Sequence, residues 1–263
     1  MRSTGPQYYY EPPRSGKNFL EGLRPLIEPP LAYLSFLVGI GLGLYLLTFA
    51  DFSVSRYGAH ILILLLAFPV HELSHAIVAD RLGDPTPRHY GRITLNPFVQ
   101  LNLIGSILML LIWLCWAYVP VSPQYLRPNP RTGHMIVAAA GPFSNLVMAV
   151  LCALLWYRVS PALTGFNSPE LNSYVFRTLY LFAWINVALF LFNLIPIAPL
   201  DGFTVLKGIL PYPAAYQLEK LQRFGMLIFL ALFFVAPFLG VPVLDWLIFA
   251  PARWLMALLF SGV

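Results

Sequence analysis

Long runs of apolar residues constrain this chain more than any other feature. We place seven of them, at 31–50, 59–79, 101–119, 134–157, 174–198, 222–239 and 242–260. Each run has about the 20 residues that an α-helix needs to cross the hydrocarbon core of a bilayer. The chain is 59% hydrophobic and only 10% charged, whereas a soluble domain carries about a quarter charged residues. The sequence therefore predicts an all-α, polytopic membrane protein.

The distribution of basic residues indicates how many of these runs cross the membrane, because cytoplasmic loops are enriched in Lys and Arg. If run 101–119 does not cross, the N-terminal tail and the regions 80–133 and 199–223 share one side, which then holds most of the basic residues. If it does cross, the later loops change sides and this bias shrinks. We therefore predict about six transmembrane helices, both termini in the cytoplasm, and a re-entrant or non-spanning segment between the second and third spans.

The regions between the runs are too short for a separate soluble domain. We predict a cytoplasmic tail at 1–30, which is polar and rich in proline, and a single membrane-embedded domain at 31–263. The stretch HYGRITL at 89–95 mixes β-branched and aromatic residues between turns, which predicts a short β segment. The net charge of +5 comes from residues scattered between the spans, so it indicates membrane topology and no nucleic-acid partner.

Ionisable residues inside the second apolar run are the strongest functional signal. The sequence HELSH places His71, Glu72 and His75 where hydrocarbon is expected, at a cost of about 3 kcal/mol for a charged group. Residues four apart share a helical face, so His71 and His75 can ligate one metal ion. Glu72 is turned away by about 100°, where it can polarise a metal-bound water. Zinc suits such a site; the alternative is a pair of histidines that form interhelical hydrogen bonds.

A third metal ligand is needed beside the two histidines. The candidates are Asp201, Asp84, His60, His89 and His134. Depth favours Asp201, because it follows the proline-broken end of run 174–198 on the cytoplasmic side. From there it can fold back to the level of His71, about 13 Å inside the end of its helix. The alternative for Asp201 is a helix cap, and Asp84 is predicted to be a turn residue.

Two asparagines lie in the apolar runs near this depth. Asn145 is about 16 Å from the cytoplasmic end of its span. It is predicted either to act catalytically, by hydrogen bonding to the scissile carbonyl or its oxyanion, or to form an interhelical hydrogen bond. Asn193 has the same two alternatives.

The order and context of three motifs resemble the site-2 protease family of intramembrane zinc metalloproteases. The matching residues are HELSH at 71–75, AAAGPFSN at 138–145 and NLIPIAPLDG at 193–202, and GRITLNP at 91–97 is similar to the compact prokaryotic branch. The resemblance covers a catalytic core at about 59–202. It implies one Zn2+ per chain held by His71, His75 and Asp201, and it implies that Glu72 is the catalytic glutamate.

The same resemblance implies where the enzyme acts. A member of this family hydrolyses peptide bonds within or next to the transmembrane helices of protein substrates, so its partners are such a substrate and the lipid bilayer. It would be a multi-pass protein of a prokaryotic cell membrane. We also expect the edge of 89–95 to pair with an extended stretch of substrate, or else to close a hairpin over the site.

The sequence departs from the family pattern in two places. Gln100 and Asn102 stand where relatives often carry a His and an Asp, and Ala198 replaces the first proline of the P-P-L-D-G pattern.

Two functions other than proteolysis stay open. A catalytically silent, membrane-binding or chaperone-like relative is one alternative, and Glu72 argues against it because structure alone does not require this residue. A metal or ion transporter is the other, and the lack of an internal repeat argues against it.

Overall fold

The computed structural model describes residues 66–100, 119–165 and 169–261. The tail at 1–30, the run 31–50, the start of the run 59–79 and almost all of the run 101–119 lie outside the described residues. Within the described residues, three helical stretches are long and apolar enough to cross a bilayer: Pro130–Ala162, Val175–Asn193 and Tyr212–Phe238. The prediction of a largely helical membrane protein is confirmed, and the total of six spans stays a prediction.

The described residues form helices and no strand. We number the α-helices in chain order: α1 Phe68–Arg81, α2 Thr86–His89, α3 Pro97–Gln100, α4 Pro130–Gly165, α5 Pro169–Asn193, α6 Asp201–Ile209, α7 Tyr212–Leu221, α8 Gly225–Leu230, α9 Ala236–Phe238 and α10 Ala250–Leu259. Single 3-10 turns lie at Pro123–Tyr125 and Gln222–Phe224, and π-helical turns lie at Ala231–Val235 and Asp245–Phe249.

An apolar core holds α4, α5 and α10 together. Ala149 and Ala153 on α4 and Ala183 on α5 are fully or almost fully buried, and small residues of this kind let membrane helices approach closely. Trp156 packs its ring against Phe176, with the ring centroids 4.7 Å apart. The two long helices are antiparallel, and this core fixes their relative position along one end of the pair.

A second apolar cluster supports the segment that carries Asp201. Helix α5 ends at Asn193, and residues 194–200 form turns and bends before α6 begins, as the prolines of this stretch predict. Ile195 and Leu200 of this segment are buried with Phe229 and Phe233. The cluster holds the irregular backbone against α8 and the π-helical turn that follows it.

The β segment predicted at 89–95 is wrong. The amide of Tyr90 donates to the Thr86 carbonyl at 3.1 Å, and the amide of Arg92 donates to the Pro87 carbonyl at 2.9 Å. Gly91 adopts a positive φ of 66°, a left-handed conformation that favours glycine and turns the chain after α2. Local turn bonds therefore outweigh the preference of the β-branched residues for a strand.

Gln100 closes this loop. Its Nε2 donates to the carbonyls of Arg92 at 2.7 Å and Thr94 at 2.8 Å, and the residue is only 1% exposed. The carbonyls of Arg92 and Thr94 thus accept hydrogen bonds from within the loop, and residues 89–95 present no strand edge. Pairing of substrate along this stretch stays a prediction. Asn102 lies outside the described residues.

Asp84 ties the end of α1 to the residues that follow run 101–119. Its Oδ1 accepts from the Thr86 amide at 2.9 Å, and its Oδ2 accepts from the Ser122 amide at 2.6 Å. The amide of Arg127 donates to the Leu82 carbonyl at 2.9 Å. Asp84 is fully buried and serves as the predicted turn residue.

Candidate metal centre

Three donor atoms from two separate parts of the chain meet at one point. The Nε2 atoms of His71 and His75 are 3.1 Å apart, and each is 3.3 Å from Oδ2 of Asp201. Tetrahedral zinc with ligands at about 2.0 Å separates its ligand atoms by roughly 3.3 Å. The spacing and chemistry of these three donors therefore fit a zinc ion.

Each donor has this position for a local reason. His71 and His75 lie one turn apart on α1, so both rings leave the same face of the helix, with their centroids 4.7 Å apart. Asp201 is the first residue of α6, after the irregular segment 194–200. Its carboxylate faces the two histidines, and no side chain caps α6. This geometry favours the metal-ligand alternative for Asp201 over the helix cap.

The other candidates for a third ligand lie elsewhere. Asp84 is buried in the turn after α1, and His89 ends α2. His134 lines a cavity beside the three donor atoms but does not belong to the donor cluster. Within the part of the chain that the structure describes, this cluster is the only group of three His, Cys, Asp or Glu residues that could hold a metal ion. His60 lies outside that part.

Gly141 lets α4 pass directly beside the donor atoms. A Cβ atom at this position would lie 2.3 Å from Nε2 of His75 and 2.6 Å from Nε2 of His71. Both distances are far shorter than a van der Waals contact. Only glycine leaves this space beside the two nitrogens open, so the α4 backbone forms one wall of the centre.

The second ring nitrogen of each histidine has a hydrogen-bond partner on α4. Nδ1 of His75 lies 2.7 Å from the Val137 carbonyl oxygen, and Nδ1 of His71 lies 2.7 Å from Oδ1 of Asn145. Partners of this kind orient metal-binding imidazoles and leave the opposite nitrogen for the metal. Asn145 is fully buried and also donates to Asn186 on α5 at 3.0 Å. These contacts favour its interhelical alternative, and a catalytic role for Asn145 stays a prediction.

A cavity of about 370 Å³ opens beside the donor atoms. Its polar lining residues in the described part of the chain are His71, Glu72, His75, His134, Asn145, Asn193, Asp201 and Thr204. Apolar residues such as Val119, Leu189 and Phe229 complete the wall. Glu72 is 5% exposed and is the next residue after His71. With its volume of about 370 Å³, the cavity is large enough for a short peptide segment beside the metal donors.

The sequence patterns do not single out Asn186, and they offer His134 only as a candidate third ligand, whereas the structure places it in the cavity wall. The signal for Asn186 was its polar amide within the apolar run 174–198, because polar groups inside a membrane helix need partners. The signal for His134 was its spacing from Ala138, Gly141 and Asn145, which places all four along one side of α4.

A family model and two relatives agree on the protein family that this chain resembles. The model of peptidase family M50 matches residues 59–236. YwhC of Bacillus subtilis strain 168 is 33% identical over 207 residues, which cover 77% of this chain and 91% of YwhC. Rip2 of Mycolicibacterium smegmatis is 30% identical over 217 residues, which cover 80% of this chain and 78% of Rip2. Both relatives carry the name of a zinc metalloprotease. No solved structure matches the chain.

Proposed function

The chain belongs to peptidase family M50, and from this premise we propose that it is a zinc endopeptidase of the membrane. It would hydrolyse peptide bonds within or next to the transmembrane helices of protein substrates. The observation that carries the proposal is the triangle of His71 Nε2, His75 Nε2 and Asp201 Oδ2, with edges of 3.1 to 3.3 Å. Family membership agrees with the site-2 protease resemblance of the motifs and with a metalloprotease activity.

The three donors would hold one zinc ion per chain. Zinc supplies Lewis-acid chemistry, which polarises a carbonyl group and lowers the pKa of water. His71 and His75 would each offer Nε2 to the ion, since their Nδ1 atoms are engaged with Asn145 and Val137. Asp201 would contribute one carboxylate oxygen and offset part of the positive charge of the ion.

Glu72 would move the proton. It is buried, follows His71 directly and lines the cavity beside the donors. Its carboxylate would accept a proton from the attacking water and then donate that proton to the leaving amide nitrogen. The attack forms a bond between the water oxygen and the carbonyl carbon, and proton delivery to nitrogen completes the break of the peptide bond.

The cavity supports a substrate bound as a short extended segment. An intact helix keeps its carbonyls hydrogen bonded and shielded, so a transmembrane substrate would unwind locally to reach the centre. The apolar walls formed by residues such as Leu189, Phe192 and Phe229 would receive its apolar side chains. The substrate is thus proposed to be a membrane protein that enters from the surrounding bilayer.

Contacts at one end of the bundle support the proposed six-span topology. The turn after α1 is bonded to Ser122 through Asp84, and Arg131 at the start of α4 donates to the Lys207 carbonyl at 2.9 and 3.0 Å. This end carries basic residues and would face the cytoplasm. A cysteine introduced at Gln124, in a chain without Cys115 and Cys152, should react with a reagent from the cytoplasmic side. Reaction from the outside only would contradict this topology.

Glu72→Gln tests the proposed reaction. The purified variant should keep one zinc per chain and lose cleavage of a reconstituted transmembrane substrate, because glutamine preserves the shape of the residue but cannot accept the proton. The inactive variant should also retain substrate during purification. Wild-type turnover by the variant would overturn the role of Glu72. A zinc-loaded wild-type protein that transports metal and cleaves none of a panel of membrane proteins would favour the transporter alternative.

A further inference from the structure

A line of buried hydrogen bonds runs from the backbone of α5 to the metal-facing ring of His71. Asn186 Nδ2 donates to the Phe182 carbonyl at 2.8 Å, and Asn145 Nδ2 donates to Asn186 Oδ1 at 3.0 Å. Asn145 Oδ1 then lies 2.7 Å from His71 Nδ1. Both asparagines are fully buried, so water does not compete for these groups. We call this line the amide relay.

The direction of the amide relay is set at its far end. The Phe182 carbonyl can only accept a hydrogen bond, so the group of Asn186 that faces it must be the NH2. Asn186 then presents its oxygen to Asn145. An oxygen there requires the NH2 of Asn145, which in turn presents its own oxygen to His71. Each amide orientation follows from the preceding one, and none of the three bonds can be reversed alone.

This direction fixes the tautomer of His71. An oxygen opposite Nδ1 requires that Nδ1 carry the proton, so Nε2 keeps its lone pair. Nε2 is the atom 3.3 Å from Asp201 and 3.1 Å from His75. If Asn145 were turned round, its NH2 would donate to Nδ1, the proton would move to Nε2 and this nitrogen could not ligate a metal.

His75 reaches the same tautomer by a shorter path. Its Nδ1 lies 2.7 Å from the Val137 carbonyl, which is already an obligatory acceptor. The partner of His71 is instead an amide side chain that can present either end. His71 therefore depends on a second residue to set the orientation of its partner, and His75 does not.

We propose that Asn186, acting through Asn145, is a positioning residue that holds His71 in the tautomer required for zinc binding. The inference rests on the proposed zinc site. It assigns to α5 a second contribution to the centre, in addition to carrying the chain toward Asp201. Asn186 touches neither the metal donors nor the cavity, so its effect passes only through Asn145.

Zinc affinity, measured by competition with a chelator on the purified chain, tests the amide relay. Asn186→Leu keeps the shape of the side chain but removes the acceptor, and it should weaken zinc binding by about 10- to 100-fold, as is usual for residues behind a metal ligand. Asn186→Asp still accepts from Asn145 and should stay within about threefold of wild type on the same scale. The double variant Asn145→Leu, Asn186→Leu should be no weaker than Asn145→Leu alone, because the two residues act in series.

Thr178→Val is the matched control. Thr178 lies on the same helix, about two turns from Asn186, and its buried Oγ1 has no hydrogen-bond partner among the described residues. It does not line the cavity or belong to the amide relay, so zinc affinity should not change. A second readout is 15N NMR of zinc-free protein with labelled histidine, in which the Nδ1-protonated signal of His71 should be lost in Asn186→Leu and kept in Thr178→Val.

The outcomes separate the two proposals. A folded wild-type chain that binds no zinc would overturn the proposed function. A wild-type chain that binds zinc, together with a folded Asn186→Leu variant of equal affinity and unchanged His71 signal, would overturn only the amide relay. If Asn186→Asp binds as weakly as Asn186→Leu, the residue acts through packing and the amide relay is likewise overturned.

Discussion

The antiparallel pair α4 and α5 has two ends that are built differently. At one end Ala149, Ala153 and Trp156 belong to an apolar cluster with residues of α5. At the other end the same two helices are joined by Asn145 and Asn186, which link α5 to the metal-facing His71. The boundary between the two ends is a single helical turn, from Asn145 to Ala149.

The difference separates the contacts that hold the helices together from those that orient the proposed metal ligands. Apolar contacts are individually weak and numerous, so the apolar end can lose one of them and keep the fold. A buried polar group without a partner costs about 1–3 kcal/mol, and each group at the polar end has only one or two partners. We therefore expect substitutions at the polar end to alter zinc binding and substitutions at the apolar end to alter stability.

Gly141→Ala should have the largest effect on the polar end. The added methyl group would lie 2.3 to 2.6 Å from the Nε2 atoms of His75 and His71, so it would displace the two donors. We expect the purified variant to contain no zinc by metal analysis. Gly208→Ala is the control, since it crowds the Met135 side chain at 2.4 Å without touching a donor. A Gly141→Ala protein with a full zinc content would show that α4 does not form a wall of the centre.

Asp201→Ala should reduce the zinc content severely but less completely. The two histidines would remain 3.1 Å apart, yet two neutral ligands rarely suffice for tight binding. We expect zinc to be lost during dialysis against a weak chelator that leaves wild type loaded. Full occupancy under those conditions would exclude Asp201 and direct attention to His134, which lines the same cavity.

Trp156→Ala should act on the apolar end alone. Trp156 is 7% exposed and its ring lies 4.7 Å from that of Phe176. Loss of a buried Trp side chain costs about 3 kcal/mol or more in soluble cores, and we expect somewhat less where lipid replaces water. Thermal unfolding should shift downward while zinc affinity stays unchanged. Trp254→Ala, at a position 63% exposed, should shift unfolding little. A loss of zinc in Trp156→Ala would contradict the separation of the two ends.

Arg88→Ala should have the smallest effect on stability, because Asp80, the partner of Arg88, lies outside the membrane-spanning residues. Arg88 donates to both carboxylate oxygens of Asp80, at 2.9 and 2.6 Å, and these bonds lower the pKa of Asp80 below its ordinary value. A lowered pKa in the folded state adds stability above the ordinary pKa of aspartate, and this stability is lost as the pH falls through the folded-state pKa. Unfolding midpoints of wild type and Arg88→Ala should therefore differ slightly at pH 7 and converge in acid. A difference that persists in acid would indicate another role for Arg88.

The cluster of the three proposed metal donors was predictable because their positions follow from local rules. His71 and His75 share a face through the period of the helix alone. Asp201 was placed at their depth by the proline break in 194–200 and the charge distribution of the loops, and the structure brings it to 3.3 Å from both rings.

The loop at 89–95 and the position of Asn186 depend on contacts that no local rule predicts. The residues at 89–95 have the composition of a strand, but Gly91 and the side chain of Gln100 close them into a loop. Asn186 matters only because the register of α4 against α5 places it opposite Asn145. That register is set by the packing of many residues along both helices, so a pattern in one run cannot reveal it.

X-ray absorption at the zinc edge of the purified protein tests the central claim most directly. We expect one zinc per chain, surrounded by nitrogen and oxygen atoms at about 2.0 Å, with the multiple-scattering pattern of two imidazoles. A spectrum with sulfur neighbours, with no imidazole signal, or with no zinc in the folded wild-type chain would contradict a centre built from His71, His75 and Asp201.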